Sequence, residues 1–191
     1  MKNDKNNELN SLIRDAIKGN MKAQEELFKN FYSTMMNICS RYSDQQNEAK
    51  DLLQEGYIKI FQNLHQFNFE GSFEGWMKRI MVNTAIDYIR KNKKHQSISI
   101  DDVSDSSINQ YNFNDAISNL TSAELMSMLN DLPPMSRTVF NMFVFDGFSH
   151  AEIAKALNIK EGTSTWHVNN ARTILKTRIV NLYRLEEAAN G

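Results

Sequence analysis

The sequence predicts an all-α protein made of two small helical domains joined by a flexible acidic linker. Only two prolines and seven glycines occur among 191 residues, so few positions break a helix. Apolar residues recur at spacings of three and four residues along most of the chain, which is the period of an amphipathic helix. Residues 95–119 lack this period and are rich in Ser and Asp. We therefore expect domains at residues 1–94 and 120–191, with the linker between them.

The apolar spacing predicts four helices in the first domain. The first ends at Gly19-Asn20, and the others run from about Lys22 to Tyr42, from Ser43-Asp44 to Leu64, and from Ser72 to Arg90. Ser43-Asp44 is expected to end the second helix and cap the third. Tyr32 and Cys39 lie on the apolar stripe of the second helix, so we expect both in the core. A single cysteine excludes a disulfide within the chain and fits a reducing compartment.

Opposite charges are segregated along the chain, although the formal net charge is only −1. Basic residues cluster between Lys78 and Lys94, whereas residues 95–136 contain no Lys or Arg. Such segregation is more informative about binding partners than the sum of charges. The polar N-terminus has no signal-peptide core, and no apolar run approaches a membrane-spanning length. We expect a cytoplasmic protein without membrane insertion.

Residues 146–176 have the pattern of a helix-turn-helix, in a second domain whose Pro134 suits a first helical turn. Ser149 and Glu152 form a predicted capping box, and Asn158 is suited to a left-handed helix end. The side of the second helix away from its apolar stripe is predicted to carry Thr165, Trp166, Asn169 and Asn170. Asn can pair bidentately with adenine, Thr or Trp can contact a thymine methyl group, and Arg172 is suited to phosphate. DNA binding and an ordinary hairpin with a solvated polar face both fit this pattern.

Two further segments do not resemble core. The third helix presents Asp51, Gln54 and Glu55 one turn apart and off its apolar face. This spacing fits a solvated face or a docking surface for a basic partner, and it lacks the third ligand or nearby His that a metal or catalytic site needs. Aromatic residues between Phe67 and Trp76 precede a basic helix, an arrangement that fits either single-strand binding or closure of the helical bundle.

The order of these parts is similar to that of a sigma factor of bacterial RNA polymerase, in the extracytoplasmic-function (ECF) group of the sigma-70 family. Three segments carry the resemblance, and they cover much of residues 20 to 180: residues 51–61 (DLLQEGYIKIF), residues 71–91 (GSFEGWMKRIMVNTAIDYIRK), and residues 132–163 with LPPMSRTVF, GFSHAEIA and EGT. Each motif alone is loose, but all three in this order are specific.

The resemblance implies a role for each segment and no cofactor. The implied contacts to core RNA polymerase, through its β′ and β subunits, are Asp51, Gln54 and Glu55. The implied contacts to the melted, single-stranded −10 element are Phe69, Trp76, Arg79, Asn83 and Arg90. The implied contacts to the double-stranded −35 element are Thr163, Thr165, Trp166, Asn169, Asn170 and Arg172. The linker would lie in or near the RNA-exit path, and members of this group are often held inactive by an anti-sigma factor, which the sequence does not identify.

The second helix of the helix-turn-helix departs from the family pattern, because Ser164, Thr165, Trp166, His167 and Asn170 stand where relatives carry more basic residues. Fewer cations predict weak binding to free DNA, and Asn169 with Asn170 suggests an A·T-rich −35 element.

Two other classes of function compare less well. A stand-alone helix-turn-helix regulator would leave the Asp51–Glu55 turn and the aromatic loop without a role. A hydrolase or metal-dependent nuclease is disfavoured because the four histidines are scattered and no nucleophile motif is present. We therefore expect no catalytic residue and no metal site.

Overall fold

The computed structural model describes residues 2–43, 45–92 and 121–190. The chain divides into two compact units, residues 1–92 and 93–191, here called the N-terminal and C-terminal units. All regular elements in the described ranges are helical, which confirms the predicted all-α class with two helical domains. The predicted linker at 95–119 lies outside the described residues. No helix in the described parts of the chain is long and apolar enough to cross a membrane.

The N-terminal unit contains the four predicted helices. They are α1 (Lys2–Ile17), α2 (Met21–Tyr42), α3 (Gln46–Gln62) and α4 (Phe73–Asn92), with a 3-10 turn at Leu64–Gln66. Gly19, at φ 85°, separates α1 from α2, and the Asn20 side chain caps α2 by accepting from the Lys22 and Ala23 amides. The predicted cap of α3 is wrong. Ser43 does end α2, as predicted, and donates its hydroxyl to the Cys39 carbonyl at 3.0 Å, but Gln45 occupies the N-cap position of α3.

The core of this unit lies where α2, α3 and α4 pack against one another, with α1 against α2. Its fully buried side chains include Leu27, Met35, Cys39, Leu52, Ile60, Met77 and Met81. Cys39 is buried as predicted, whereas Tyr32 is 40% exposed and lies outside the core. The buried residues Met77 and Met81 supply much of the core-facing side of α4, whereas Ile80 and Ile89 are only partly buried.

Helices α3 and α4 approach closely at Gly56. A Cβ atom on this residue would lie 2.2 Å from the Met81 sulfur, far inside the contact distance. Met81 is itself buried, so its side chain has little space into which to move. The absence of a side chain at position 56 therefore sets how closely the two helices pack.

The C-terminal unit contains the predicted helix-turn-helix. Its described elements are α5 (Ser122–Asn130), α6 (Pro134–Phe140), a π-helical turn (Asn141–Phe145), α7 (His150–Leu157) and α8 (Glu161–Asn190). Pro134 lies in the first turn of α6, and Ser149 with Glu152 forms a capping box on α7. Asn158 ends α7 in the left-handed conformation at φ 54°. These three local predictions are confirmed.

The core of the C-terminal unit joins α5, α6 and α8. It includes Met128, Leu129, Leu132, Phe140, Ala171, Leu175 and Ile179. Ile153 and Leu157 bury the inner face of α7 against α8, which holds the helix-turn-helix together. Arg137 is buried and donates to the Asn130 carbonyl at 3.3 Å, so its guanidinium satisfies an acceptor at the end of α5. The exposed side of α8 is thereby held in a fixed orientation on this unit.

Replacing Gly56 by Ala is expected to destabilise the N-terminal unit. Overpacking against Met81 costs about 1–3 kcal/mol, and the higher helix propensity of Ala returns about 1 kcal/mol. The net loss in free energy of unfolding should therefore reach up to about 2 kcal/mol. Urea unfolding followed by Trp76 fluorescence in a Trp166→Phe background reports on this unit alone, because the chain has two tryptophans.

Gly75→Ala in α4 is the matched control. A Cβ atom there meets the Ser72 Cβ at 3.6 Å, which is an ordinary contact. This variant should be neutral or more stable by about 0.5 kcal/mol. Equal stability of the Gly56 and Gly75 variants would contradict the close approach at Gly56.

The Cys39 thiol is expected to resist thiol reagents in the folded protein. Burial raises the pKa of Cys39 to about 12, so its reactive thiolate is scarce at about pH 8. Because the thiol in the unfolded chain has a pKa of about 8.5, Cys39 also lowers the stability of the folded state as pH rises above that value. Reaction with a chromogenic disulfide should follow the rate of unfolding, whereas a Cys39→Ser/Lys18→Cys variant should react at once. Rapid labelling of native Cys39 would contradict its burial.

Candidate nucleic-acid interface

One exposed stripe runs along α4. Its side chains repeat at three or four residues and are Trp76, Arg79, Asn83, Asp87 and Arg90. Arg79, Asn83, Asp87 and Arg90 are exposed, and Trp76 is partly buried. The remaining faces of α4 carry the buried Met77, Met81 and Ile86. The stripe therefore combines an aromatic ring at its start with amide and cationic groups further along, all supported by a packed core.

The aromatic loop before α4 folds into a cluster of rings. Phe67 contacts Phe69, Phe73 and Trp76, with centroid distances of 5.2, 5.1 and 5.7 Å. Phe73 and Trp76 stack at 5.8 Å with an angle of 19° between their planes. Phe67 and Phe73 are buried, so these two rings close the bundle. Phe69 and Trp76 remain partly exposed at the surface of the cluster.

Phe69 has an uncommon backbone conformation. Its φ is 63°, in the left-handed region that bulky residues rarely occupy. The adjoining Gly71 has φ 75°, and the Asn68 side chain accepts from the Glu70 amide at 3.1 Å, which tightens the turn. The Arg14 guanidinium of α1 lies over the Phe69 ring, 5.0 Å from its centroid. The ring is therefore held in one place, between a cation and the cluster beneath it.

The exposed face of α3 is acidic and polar. Asp51 and Gln54 are exposed, and Glu55 is half-buried beside the Lys59 ammonium at 3.0 Å. The structure brings these three side chains onto one face, as predicted, together with the exposed Ile58. No group of three His, Cys, Asp or Glu residues within the described ranges is arranged to hold a metal ion.

The outer side of α8 carries most of the predicted recognition residues. Thr165, Trp166, Asn169 and Arg172 are exposed, and Thr163 is partly buried. The inner side carries the buried Ser164 and Val168. The Thr165 hydroxyl donates to the Glu161 carbonyl at 3.1 Å, so its methyl group is the part free to make an apolar contact. This surface can offer an amide, a methyl group and an indole ring to a DNA groove.

Asn170 differs from the prediction that placed it with these residues. It is half-buried, and its amide donates to the Ser136 hydroxyl of α6 at 3.2 Å. Ser136 and His167 are both buried, and the Ser136 hydroxyl lies 3.0 Å from the His167 Nδ1. Asn170 therefore belongs to a polar cluster that fixes α8 on α6.

A second ring contact orients Arg172. Its guanidinium lies 6.0 Å from the centroid of Phe143, whose ring also stacks on His150 at 4.4 Å. His150 in turn shares a hydrogen bond of 2.9 Å with the buried Ser164 hydroxyl. The start of α7 and the outer side of α8 are thus connected through one aromatic ring.

Family models match both units. The model for sigma-70 region 2 matches residues 27–95, and the model for sigma-70 region 4 matches residues 122–175. Together they account for more than half of the chain. The chain belongs to the sigma-70 family. The curated relatives place it in the ECF group, and it is a promoter-directing initiation factor of RNA polymerase. A stand-alone regulator is not favoured, because it would not require region 2.

Two relatives show the extent of the similarity. The ECF RNA polymerase sigma factor SigW of Bacillus subtilis is 26% identical over 179 residues, covering 89% of this chain and 96% of that protein. The ECF RNA polymerase sigma-E factor of Escherichia coli is 26% identical over 182 residues, covering 91% and 95%. The solved structure of CnrH in complex with the cytosolic domain of CnrY has a TM-score of 0.48 at 19% identity, covering 89% of this chain and 96% of that one.

Three contacts of this sigma factor were not predicted from the sequence. Arg14 lies over Phe69, Ser136 bonds to Asn170, and Lys59 of α3 lies 3.9 Å from Asp87 of α4. The Glu55–Lys59 spacing of four residues signals an ion pair within α3, but not the approach of Lys59 to Asp87. All three contacts join residues distant in sequence, for which the chain carries no local signal.

Asn169 and Asn170 are expected to behave differently when each is replaced by Ala. Asn170→Ala removes the hydrogen bond to Ser136 and should lower the free energy of unfolding of the C-terminal unit by about 1 kcal/mol. It should also weaken holoenzyme binding to every −35 base variant by the same factor. Asn169→Ala should leave stability unchanged and alter base discrimination. Thermal unfolding and holoenzyme binding to a set of −35 base variants measure the two effects. Base-specific loss confined to Asn170→Ala would contradict this assignment.

Proposed function

We propose that this sigma factor uses three surfaces: α3 for core polymerase, the α4 stripe with its aromatic cluster for the −10 element, and α8 for the −35 element. The observation that carries the proposal is the contrast between two neighbouring faces of the N-terminal unit. The exposed face of α3 carries Asp51 and Glu55, whereas the stripe on α4 carries Arg79 and Arg90. One compact unit thus offers an acidic surface to a protein and a cationic, aromatic surface to nucleic acid.

Asp51, Gln54 and Glu55 are the proposed contacts to the β′ subunit of core polymerase. Carboxylates favour basic partners, and electrostatic complementarity contributes most to specificity and association rate. The exposed Ile58 on the same face adds apolar area to this surface. Such a face has the composition of a small interface with a polar rim.

The displaced non-template strand of the −10 element is the proposed ligand of the α4 stripe. Melting removes base stacking at a cost of a few kcal/mol per extruded base, and stacking on aromatic side chains offsets about 1–3 kcal/mol per base. Phe69 and Trp76 are the partly exposed rings suited to this contact, and Arg79 and Arg90 are suited to the backbone. Asn83 lies between the two arginines and is the proposed reader of a base edge.

The −35 element is the proposed ligand of Thr163, Thr165, Trp166, Asn169 and Arg172. Asn169 can pair with adenine, and the Thr165 methyl can contact thymine, which favours an A·T-rich element. Asn170 is proposed to contribute indirectly, because its hydrogen bond to Ser136 of α6 fixes the position of α8. The small number of cations on this side of α8 gives weak binding to free DNA, because phosphate contacts supply most non-specific affinity.

The polymerase supplies the chemistry of transcription in this proposal, and the sigma factor catalyses no reaction. It acts in the cytoplasm, where core polymerase and DNA are present. The boundaries of the predicted linker at residues 95–119 also belong to this proposal, with the acidic segment in or near the RNA-exit path.

Run-off transcription with purified core polymerase tests the docking surface. The double variant Gln54→Ala/Glu55→Ala is expected to lose promoter-specific transcripts, because it removes two neighbouring polar contacts of α3. Loss of one or two hydrogen bonds to charged groups corresponds to about 10- to 100-fold weaker core binding. Glu25→Ala/Glu26→Ala on α2 is the matched control, since both residues are exposed and lie on another helix. Circular dichroism verifies that each variant is folded, and full transcription by the Gln54/Glu55 variant would contradict docking through α3.

A further inference from the structure

Lys59 joins the α3 face to the α4 stripe. Its ammonium lies 3.0 Å from the Glu55 carboxylate on α3 and 3.9 Å from the Asp87 carboxylate on α4. Arg90 lies 3.9 Å from the other Asp87 oxygen. The Lys59 side chain is 34% exposed and that of Asp87 is 51% exposed. These four groups form a partly solvated line of alternating charge from one proposed binding surface to the other.

Asp87 presents a problem for a strand-binding stripe. It is exposed between Asn83 and Arg90, so its carboxylate faces the same side as the groups proposed to bind the DNA backbone. An unpaired carboxylate there would repel phosphate, since like charges a few ångströms apart disfavour binding. Lys59 and Arg90 both lie within ion-pair distance of this carboxylate, and they reduce its negative potential. The charge of the stripe thus depends in part on a lysine from the other helix.

Glu55 and Asp87 compete for the Lys59 ammonium. The ammonium lies closer to the Glu55 carboxylate, at 3.0 Å, than to the Asp87 carboxylate, at 3.9 Å. A basic group of the polymerase that pairs with Glu55 would reduce the attraction between Glu55 and Lys59. The ammonium, on its flexible four-carbon stem, is then free to approach Asp87.

We propose that Lys59 is a positioning residue that couples polymerase docking on α3 to strand binding on α4, by shifting from Glu55 toward Asp87 when core polymerase binds. This inference rests on the proposed function, because it takes the two surfaces as the sites of polymerase and strand. Thermodynamic linkage then requires that the strand also favours polymerase binding by the same factor. A coupling of about three- to five-fold is expected from one partly exposed ion pair.

The coupling can be measured with the full-length factor. The probes are core polymerase and a single-stranded oligonucleotide carrying the non-template −10 sequence of a promoter that the wild type transcribes. Fluorescence anisotropy of labelled sigma factor gives its Kd for core polymerase without and with saturating oligonucleotide. The ratio of the two Kd values is the coupling factor.

Lys59→Met keeps most of the side-chain length and removes the charge. It should bind core polymerase at least as tightly as the wild type, because Glu55 is freed, and its coupling factor should fall by about three- to five-fold. Lys59→Arg should restore the coupling. In an Asp87→Asn background, Lys59→Met should have little further effect on the coupling factor, because the carboxylate that the Lys59 ammonium neutralises is absent.

Lys29→Met is the matched control, since Lys29 makes an exposed pair with Glu25 of the same helix at 2.6 Å. It should leave the coupling factor unchanged. An unchanged factor in Lys59→Met, or a loss of core affinity equal to the loss of strand binding, would overturn the role of Lys59. Failure of the proposed function gives a different result, in which the wild type does not bind core polymerase or Gln54→Ala/Glu55→Ala binds it normally.

Discussion

The close approach of α3 and α4 at Gly56 determines what the N-terminal unit can present to its partners. Without a Cβ atom at this position, α3 lies against the buried Met81 of α4. Three residues further along α3, Lys59 then comes within 3.9 Å of Asp87. A Cβ atom at position 56 would meet the Met81 sulfur at 2.2 Å, so the Met81 side chain would have to move within a packed core. The exposed face of α3 and the exposed stripe of α4 are therefore neighbours, since the two helices pack directly against each other at Gly56.

The aromatic cluster before α4 shows how a loop can hold aromatic rings in place at the protein surface. Phe67 and Phe73 are buried and anchor the loop, while Phe69 and Trp76 pack on them and stay partly exposed. The left-handed conformation of Phe69 costs about 1–2 kcal/mol, and contacts to Phe67 and Arg14 offset part of this cost. Rings that are fixed before binding lose little entropy when a base stacks on them.

Local rules predicted much of the fold from the sequence. The caps at Ser149, Glu152 and Asn158 depend on residues within one or two turns, and the structure has each of them. Apolar spacing likewise identified the helices of both units. At Ser43-Asp44 the predicted end of α2 is confirmed, but the predicted cap of α3 is wrong, because Gln45 occupies the N-cap position and the Ser43 hydroxyl bonds back to the Cys39 carbonyl. Residue type alone does not locate a cap to within one or two positions.

The site was less predictable because its decisive contacts are long-range. Asn170 was grouped with Asn169 by helical spacing, yet it bonds to Ser136, 34 residues earlier in the chain. Lys59 meets Asp87 through the packing of two helices, and Arg14 meets Phe69 through the packing of α1 near the loop. No periodicity in a single segment reports such contacts. Only the family resemblance, which links segments by their order, indicated that these surfaces serve one function.

Weak individual contacts are consistent with a factor that acts through several of them at once. In the proposed assignment, the −35 surface on α8 has few cations, and the −10 stripe on α4 contains a carboxylate whose charge opposes strand binding. Each proposed surface alone would therefore offer modest affinity for DNA. When polymerase holds both units on one promoter, the second contact becomes intramolecular, and its effective concentration multiplies the affinity of the first. Modest surfaces have the further advantage that the free factor is not sequestered by the large excess of non-specific DNA. The proposed role of Lys59 extends the same logic to a single residue, because the stripe becomes still less repulsive to the strand when α3 engages its partner.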